Sequence, residues 1–114
     1  MTANSDLVLA AALLVAAAPA HAQDAAALHA RSLAATCAHC HGTDGQAPPA
    51  SAMRPLAGMP APYLAEQLRA FRSGERSGSV MPQLAKGYSD AQIDRLAAYF
   101  AARPPSVGTP AVKP

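Results

Sequence analysis

The clearest pattern of apolar and polar positions lies between residues 89 and 104. Ser89 and Gln92 have the spacing of a capping box, in which each side chain bonds the backbone N–H of the other residue. Apolar residues then recur at intervals of three and four, at Ile93, Leu96, Ala97 and Phe100. The pattern predicts a helix with one buried face, which ends at Pro104 and the proline after it.

Two other segments are predicted to be helical. Residues 24–36 are rich in alanine and contain no glycine or proline. The second helix begins at Pro62, since proline suits a first helical turn, carries Leu64, Leu68 and Phe71 at helical spacing, and ends near Gly74. Residues 42–62 hold three glycines and five prolines and are predicted to be loop. Because no stretch alternates as a strand would, the predicted fold class is all-α.

The first 22 residues have the pattern of a secretory signal peptide. An apolar run spans residues 7–18, too short for a stable bilayer span, and Ala20-His21-Ala22 gives a small-x-small cleavage pattern. Residues 1–6 lack Lys and Arg, which departs from the usual signal, so a genuine N-terminal helix or membrane anchor is the alternative. We expect cleavage after Ala22 and export to the periplasm.

The predicted organisation is a signal peptide at 1–22, one domain at 23–105 and a disordered tail at 106–114. The domain has few large apolar side chains and no tryptophan, so a bound cofactor would help to complete its core. The formal net charge of the whole chain is only +2, and no basic run is interleaved with aromatic residues. Nucleic acid is therefore excluded as a partner, and no transmembrane segment is expected in the mature chain.

The residues that carry chemistry are Cys37-Ala38-His39-Cys40-His41, a C-x-x-C-H sequence. This spacing is typical of covalent haem c attachment. Two thiols three positions apart can form thioethers with the two vinyl groups of one porphyrin. The adjacent His41 is then the proximal ligand of the iron.

The cysteine pair has three alternative roles. A thioredoxin-like site expects a βαβ setting, whereas this pair follows a predicted helix. A structural zinc site usually needs four ligands, and the chain has no other cysteine. A disulfide between the two would close a very short loop, would stabilise little, and would leave His41 unexplained.

The sixth position of the iron needs a ligand or stays open. The candidates are Met53, Met59, Met81, His29 and His39. His29 and His39 lie on the entering helix and inside the attachment loop, so neither easily reaches the opposite face of a haem. The two earlier methionines are expected to pack against the wall of the site. Met81 lies in a predicted loop 40 residues beyond His41, far enough to reach round the ring. Met/His ligation raises the reduction potential and leaves no open position, which favours electron transfer over catalysis.

Several strings of residues resemble bacterial class I c-type cytochromes over about residues 30–103. They include His41-Gly42, residues 63–68, 71–74 and 85–90, and residues 96–100. Within that family, residues 73–75 and 80–89 most resemble the cytochrome subunit of flavocytochrome c sulfide dehydrogenase. The resemblance implies one covalently bound haem that accepts single electrons from a sulfide-oxidising flavoprotein, with no catalysis of its own. A free periplasmic electron carrier and a haem-free thiol or metal protein are the alternatives.

Two details of the sequence leave alternatives open. Pro55 directly precedes Leu56, a shift of one position from the common family pattern, so the carbonyl of either Arg54 or Pro55 is expected to orient His41. Basic residues near the middle helix either steer an acidic partner or form a solvated face. They are Arg69, Arg72, Arg76 and Lys86.

Overall fold

The computed structural model describes residues 18–107, and within them it contains five α-helices and no strand. The helices are α1 (Ala18–Ala35), α2 (Ala38–His41), α3 (Ala61–Ser73), α4 (Met81–Ala85) and α5 (Asp90–Ala101), with a single 3₁₀ turn at Thr43–Gly45. The predicted all-α class is confirmed.

Local sequence signals account for the limits of α3 and α5. The capping box forms as predicted: Gln92 N–H donates to Ser89 Oγ at 3.2 Å, and Ser89 N–H donates to Gln92 Oε1 at 2.9 Å. Helix α3 begins one residue before the predicted Pro62 and ends at Gly74, whose φ of +86° is left-handed. Glycine adopts that conformation without the steric cost that a Cβ imposes.

The start of α1 and the surroundings of Met81 differ from the prediction. Helix α1 begins at Ala18, six residues early, so it passes through the predicted cleavage pattern. Pro19 lies in its first turn, where proline is tolerated, and the alanines that follow have high helix propensity. Met81 was predicted to lie in a loop, but it is the first residue of α4, where Pro82 is tolerated in the first turn.

The first residue of the predicted disordered tail is packed against the rest of the chain. Ser106, its first residue, is buried, and Pro105 packs against Gly58. The packed part of the chain therefore extends at least to Ser106. The remainder of the tail (108–114) and residues 1–17 of the predicted signal peptide lie outside the described residues.

The core is formed where α1 and α3 pack against α5. The predicted apolar face of α5 is buried throughout, with Ile93 at 0% and Leu96 at 1% exposure. Burial of an apolar side chain of this size contributes about 1.5–3 kcal/mol to the stability of the folded chain. No helix within residues 18–107 is both long and apolar enough to cross a membrane.

An exposed ion-pair cluster joins α3 to α5. Arg69 donates to Asp90 at 3.2 Å and to Asp94 at 2.7 Å, and Arg72 donates to Asp90 at 2.6 Å. These pairs hold the pKa of Asp90 below its ordinary value, first through Arg72 and then through Arg69. Surface pairs stabilise little individually, but this cluster fixes how the two helices meet. Of the four basic residues in the docking alternative, Arg69 and Arg72 are engaged in these ion pairs. The other two also have partners within the chain: Arg76 donates to Gln67 and lies over the Phe71 ring, and Lys86 donates to Gln83.

Candidate metal centre

Helix α2 places the two cysteines one turn apart. The Cys37 carbonyl accepts from the backbone N–H of Cys40 at 3.3 Å and of His41 at 3.0 Å, which closes a helical turn directly after α1. Residues three apart in such a turn lie on the same side. Cys37 is half-buried against the core and Cys40 is exposed, and both are free thiols. The two cysteines therefore lie on one side of the turn, as attachment of one porphyrin requires.

His41 is oriented by the backbone of the loop that follows. Its Nδ1 lies 2.7 Å from the carbonyl oxygen of Arg54. A carbonyl can only accept, so Nδ1 carries the proton and donates, which leaves the lone pair of Nε2 free for a metal. Of the two carbonyls left open by the sequence, Arg54 rather than Pro55 contacts the ring. Such a hydrogen bond fixes the ring orientation and raises the basicity of a ligand histidine.

The loop that presents Arg54 is held by Gly45. The Gly45 carbonyl accepts from Leu56 N–H at 2.8 Å and from Ala57 N–H at 3.1 Å. Gly45 has a φ of +75° and is buried, and a Cβ there would lie 2.8 Å from Phe100 Cδ1. Only glycine allows this turn to lie against the end of α5.

A second contact fixes the same turn from α5. The Tyr99 hydroxyl donates to Asp44 Oδ1 at 2.6 Å, although Asp44 has a φ of +55°. This hydrogen bond raises the pKa of Tyr99, with a further increase from burial. Aspartate is one of the few non-glycine residues found in this conformation, and here its side chain is bonded in place.

The thiol environment argues against a redox-active cysteine pair. Burial raises the pKa of the Cys37 thiol, and its hydrogen bond with the Thr36 hydroxyl lowers the pKa by less. Reactive cysteines have lowered pKa values, because the thiolate is the nucleophile. Within residues 18–107, no group of three or more His, Cys, Asp or Glu side chains is placed to hold a metal ion. The zinc alternative therefore lacks a ligand set in this part of the chain.

The structure separates the candidate distal ligands by their surroundings. Met59 is 4% exposed within the core cluster, and Met53 is 45% exposed. His29 Nδ1 lies 3.1 Å from an Arg95 guanidinium nitrogen at the protein surface. Met81 is half-buried on α4, a helix that packs against α3. Of these four residues, Met81 is the one that is partly exposed and lies on a helix, α4, that packs against α3.

The remaining candidate, His39, is exposed within α2, inside the turn that joins the two cysteines. Its position on that short turn keeps it on the same side of a bound haem as the attachment sequence.

Apolar surface is available for a large planar cofactor. Several side chains pack against the core while keeping part of their surface exposed, namely Leu33, Leu56, Tyr63, Leu68 and Tyr88. On and next to α4, Val80 is 55% and Leu84 50% exposed. Apolar surface of this kind often marks a ligand or protein contact. Together with two thiols and a free imidazole nitrogen, these residues fit a covalently bound haem.

A separate groove of about 880 Å³ lies between α3 and α5. Its lining includes Ala61, Ala65 and Ala97 beside Arg69 and Asp94. None of the cysteines, His41 or Met81 lines it, so it is distinct from the candidate metal centre.

Known proteins share both the sequence and the fold. The family described as "Cytochrome C oxidase, cbb3-type, subunit III" matches residues 21–100. The "Thiosulfate dehydrogenase electron acceptor" of Thiomonas intermedia (strain K12) is 47% identical over 81 residues, which are 71% of this chain and 37% of that protein. The "Cytochrome subunit of sulfide dehydrogenase" of Chlorobaculum tepidum is 38% identical over 68 residues, 60% of each chain. This chain thus spans less than two-thirds of either relative.

The structural comparison gives the same family. A solved structure of cytochrome c4 from Acidithiobacillus ferrooxidans matches with a TM-score of 0.61 and 32% identity, covering 68% of this chain and 50% of that one. The likeness covers the all-α cytochrome c fold, with the matched family region extending from α1 into α5. The chain therefore belongs to the family described as "Cytochrome C oxidase, cbb3-type, subunit III", and it is a class I c-type cytochrome.

Proposed function

We propose that this cytochrome carries one haem c, bonded covalently through Cys37 and Cys40. His41 is its proximal iron ligand and Met81 its distal ligand. The observation that carries the proposal is the hydrogen bond from His41 Nδ1 to the Arg54 carbonyl. It holds the imidazole beside the cysteine pair with Nε2 available for iron.

The bound haem would supply a one-electron couple at its iron. The contribution of the protein is to fix both axial ligands and to shield the ring with apolar side chains. With Met81 in the sixth position, small molecules have no open coordination site. The cytochrome therefore transfers electrons and performs no catalysis of its own.

The proposed electron donor is a dehydrogenase that oxidises an inorganic sulfur compound. The support comes from the two relatives, one named as the electron acceptor of thiosulfate dehydrogenase and the other as a subunit of sulfide dehydrogenase. The thiosulfate relative has the higher identity, 47% against 38%. Thiosulfate dehydrogenase is therefore the first candidate, and a sulfide-oxidising flavoprotein, as the resemblance of residues 73–75 and 80–89 implies, is the second.

The proposed location is the periplasm, reached through a signal peptide at residues 1–22. The support is the apolar run at 7–18 followed by the small-x-small pattern at residues 20–22. The mature domain then begins at residue 23. The N-terminal sequence of the purified protein tests this directly: a start at Gln23 agrees, and a start at Met1 contradicts it.

The donor is tested with the purified, oxidised holoprotein. Catalytic amounts of thiosulfate dehydrogenase with thiosulfate, or of a sulfide-oxidising flavoprotein with sulfide, are added while haem absorbance is followed. A parallel sample without enzyme corrects for direct reduction by sulfide, and ascorbate defines full reduction. We expect enzyme-dependent reduction with thiosulfate.

The other outcomes are distinct. Reduction only by the flavoprotein and sulfide, together with a flavin spectrum after gentle purification from periplasm, assigns the second donor instead. If neither enzyme reduces a haem that ascorbate does reduce, both sulfur donors are wrong, and the protein is a free carrier for other redox complexes.

A further inference from the structure

A hydrogen bond joins the residue before Cys37 to the segment that follows Met81. Tyr88 Oη lies 2.9 Å from Thr36 Oγ1, although 52 residues separate the two along the chain. Thr36 Oγ1 also lies 2.7 Å from the Leu33 carbonyl oxygen. A carbonyl can only accept, so the single hydroxyl proton of Thr36 is directed there, and the Tyr88 hydroxyl is the donor to Thr36.

Two further contacts fix the backbone of Tyr88. Its N–H donates to the Ala85 carbonyl at 3.2 Å, and its carbonyl accepts from Arg72 at 3.1 Å. The same Arg72 guanidinium donates to Asp90 at 2.6 Å. Tyr88 is thus bonded to the residue that follows α1, to α3 and to the end of α4, and its ring packs against the core.

The segment that carries Met81 is anchored mainly at its far end. Ala85, the last residue of α4, is fully buried, and Tyr88 follows three residues later. Val80, just before Met81, is 55% exposed, and residues 73–80 are largely exposed. Because a helix rises about 1.5 Å per residue, Met81 lies only about 6 Å along the helix from Ala85. The position of its sulfur therefore depends on the anchor at Ala85 and Tyr88.

We propose that Tyr88 is a positioning residue for the distal iron ligand. Through Thr36 it ties the Met81 segment to the backbone that enters the haem attachment sequence, and so it limits how far Met81 moves from the iron. The inference rests on the proposed function, in which Met81 is the distal ligand. It adds a residue pair that acts on the ligand without contacting the iron.

The test is competition between Met81 and imidazole for the ferric iron of the holoprotein. Tyr88→Phe removes only the donating hydroxyl, and Thr36→Val removes its acceptor at similar size. Loss of one hydrogen bond of about 1 kcal/mol corresponds to an approximately five-fold gain in imidazole affinity. Thr36→Ser keeps the hydroxyl and serves as the matched control, with an affinity close to wild type.

The double variant tests whether the two residues act as one contact. We expect Tyr88→Phe with Thr36→Val to raise the affinity no more than Thr36→Val alone, because that change already removes the bond to Tyr88 along with the bond to the Leu33 carbonyl. Unfolding by denaturant is measured on the same proteins. A purely structural role predicts lower stability with imidazole affinity unchanged, and that result overturns the inference.

Failure of the proposed function is distinguishable from failure of this inference. If the wild-type ferric protein lacks the thioether-to-iron charge-transfer band, Met81 is not the ligand and both fall together. If that band is present and disappears in Met81→Ala, yet both single variants bind imidazole like wild type, only the role of Tyr88 is wrong.

Discussion

The Nδ1 atom of His41 lies 2.7 Å from the carbonyl oxygen of Arg54, and the residue after Arg54 is a proline. Proline restricts the preceding residue to extended conformations, so Pro55 limits the directions in which this carbonyl can point. The carbonyl in turn fixes which imidazole nitrogen is free. The orientation of the proposed proximal ligand is therefore set by a backbone group whose own freedom is limited by its neighbour.

Replacing Pro55 is expected to raise the reduction potential of the haem. Pro55→Ala lets the Arg54 carbonyl turn away, which weakens its hydrogen bond to His41 and lowers the basicity of the imidazole. A less basic ligand stabilises ferric iron less. Redox titration of Pro55→Ala measures the change, with Pro49→Ala, an exposed proline of the same loop, as control. An unchanged potential and spectrum in Pro55→Ala would count against this role.

Replacing Met81 is expected to change the ligation of the iron, whereas replacing Met53 is not. Met81→His substitutes nitrogen for sulfur and lowers the reduction potential, because thioether ligation favours ferrous iron. Met53 is 45% exposed and provides a matched control as Met53→Ala. Absorption spectra and potentials of the two variants decide the matter. A Met81 variant with wild-type ligation would exclude this residue as the distal ligand.

The bond between Tyr99 and Asp44 is expected to stabilise the fold below about pH 10 and to do so less above it. The pKa of Tyr99 is raised from 10.0 by this bond and then by burial, so the folded chain holds the tyrosine proton more tightly than the unfolded chain. Stability therefore falls as pH rises from the unfolded pKa through the folded one. Tyr99→Phe should lower the free energy of unfolding by about 1 kcal/mol at pH 8, and the difference from wild type should become smaller above pH 10.

Denaturant unfolding of wild type and Tyr99→Phe between pH 8 and about 11 checks this dependence. Comparing the two proteins at each pH cancels the titration of other groups. A difference that stays constant across the range, or grows with pH, would show that the Tyr99 hydroxyl does not act through Asp44.

Replacement by alanine is expected to lower the free energy of unfolding more at Gly45 than at Gly74. Both glycines have positive φ, +75° and +86°, so each substitution carries the left-handed penalty of about 1–2 kcal/mol. A Cβ at Gly74 meets nothing within 4 Å, whereas at Gly45 it would lie 2.8 Å from Phe100 and 2.9 Å from Leu56 Cβ. Overpacking adds about 1–3 kcal/mol at Gly45 alone. Equal losses of unfolding free energy would contradict the close packing of this turn.

Local signals in the sequence predicted α3, α5 and the attachment turn. The capping box at Ser89 and the apolar spacing from Ile93 to Phe100 are contained within one helix, so their reading needs no knowledge of the rest of the chain. The start of α1 was missed because residues 1–22 were assigned to a signal peptide, although Pro19 marks the first turn of the helix. Helix α4 was missed because five residues are too few to show a helical period.

Contacts between distant residues could not be predicted in the same way. His41 reaches Arg54 across a proline-rich loop, and a shift of one residue would have exchanged Arg54 for Pro55. Tyr88 and Thr36 are 52 residues apart, and their bond depends on how α1 and α3 each pack against α5. The C-x-x-C-H spacing identified the candidate ligand residues. Which residues orient those ligands depends on the tertiary structure.

The proposed function requires that Cys37 and Cys40 hold one haem covalently. The measurement is the intact mass of the denatured protein after production with a haem-attachment system, for the wild type and for the double variant Cys37→Ala with Cys40→Ala. We predict that the wild-type mass increases by one haem, and that the double variant retains none after denaturation. If the denatured wild-type chain carries no haem and has two titratable thiols, haem is not attached covalently through these cysteines.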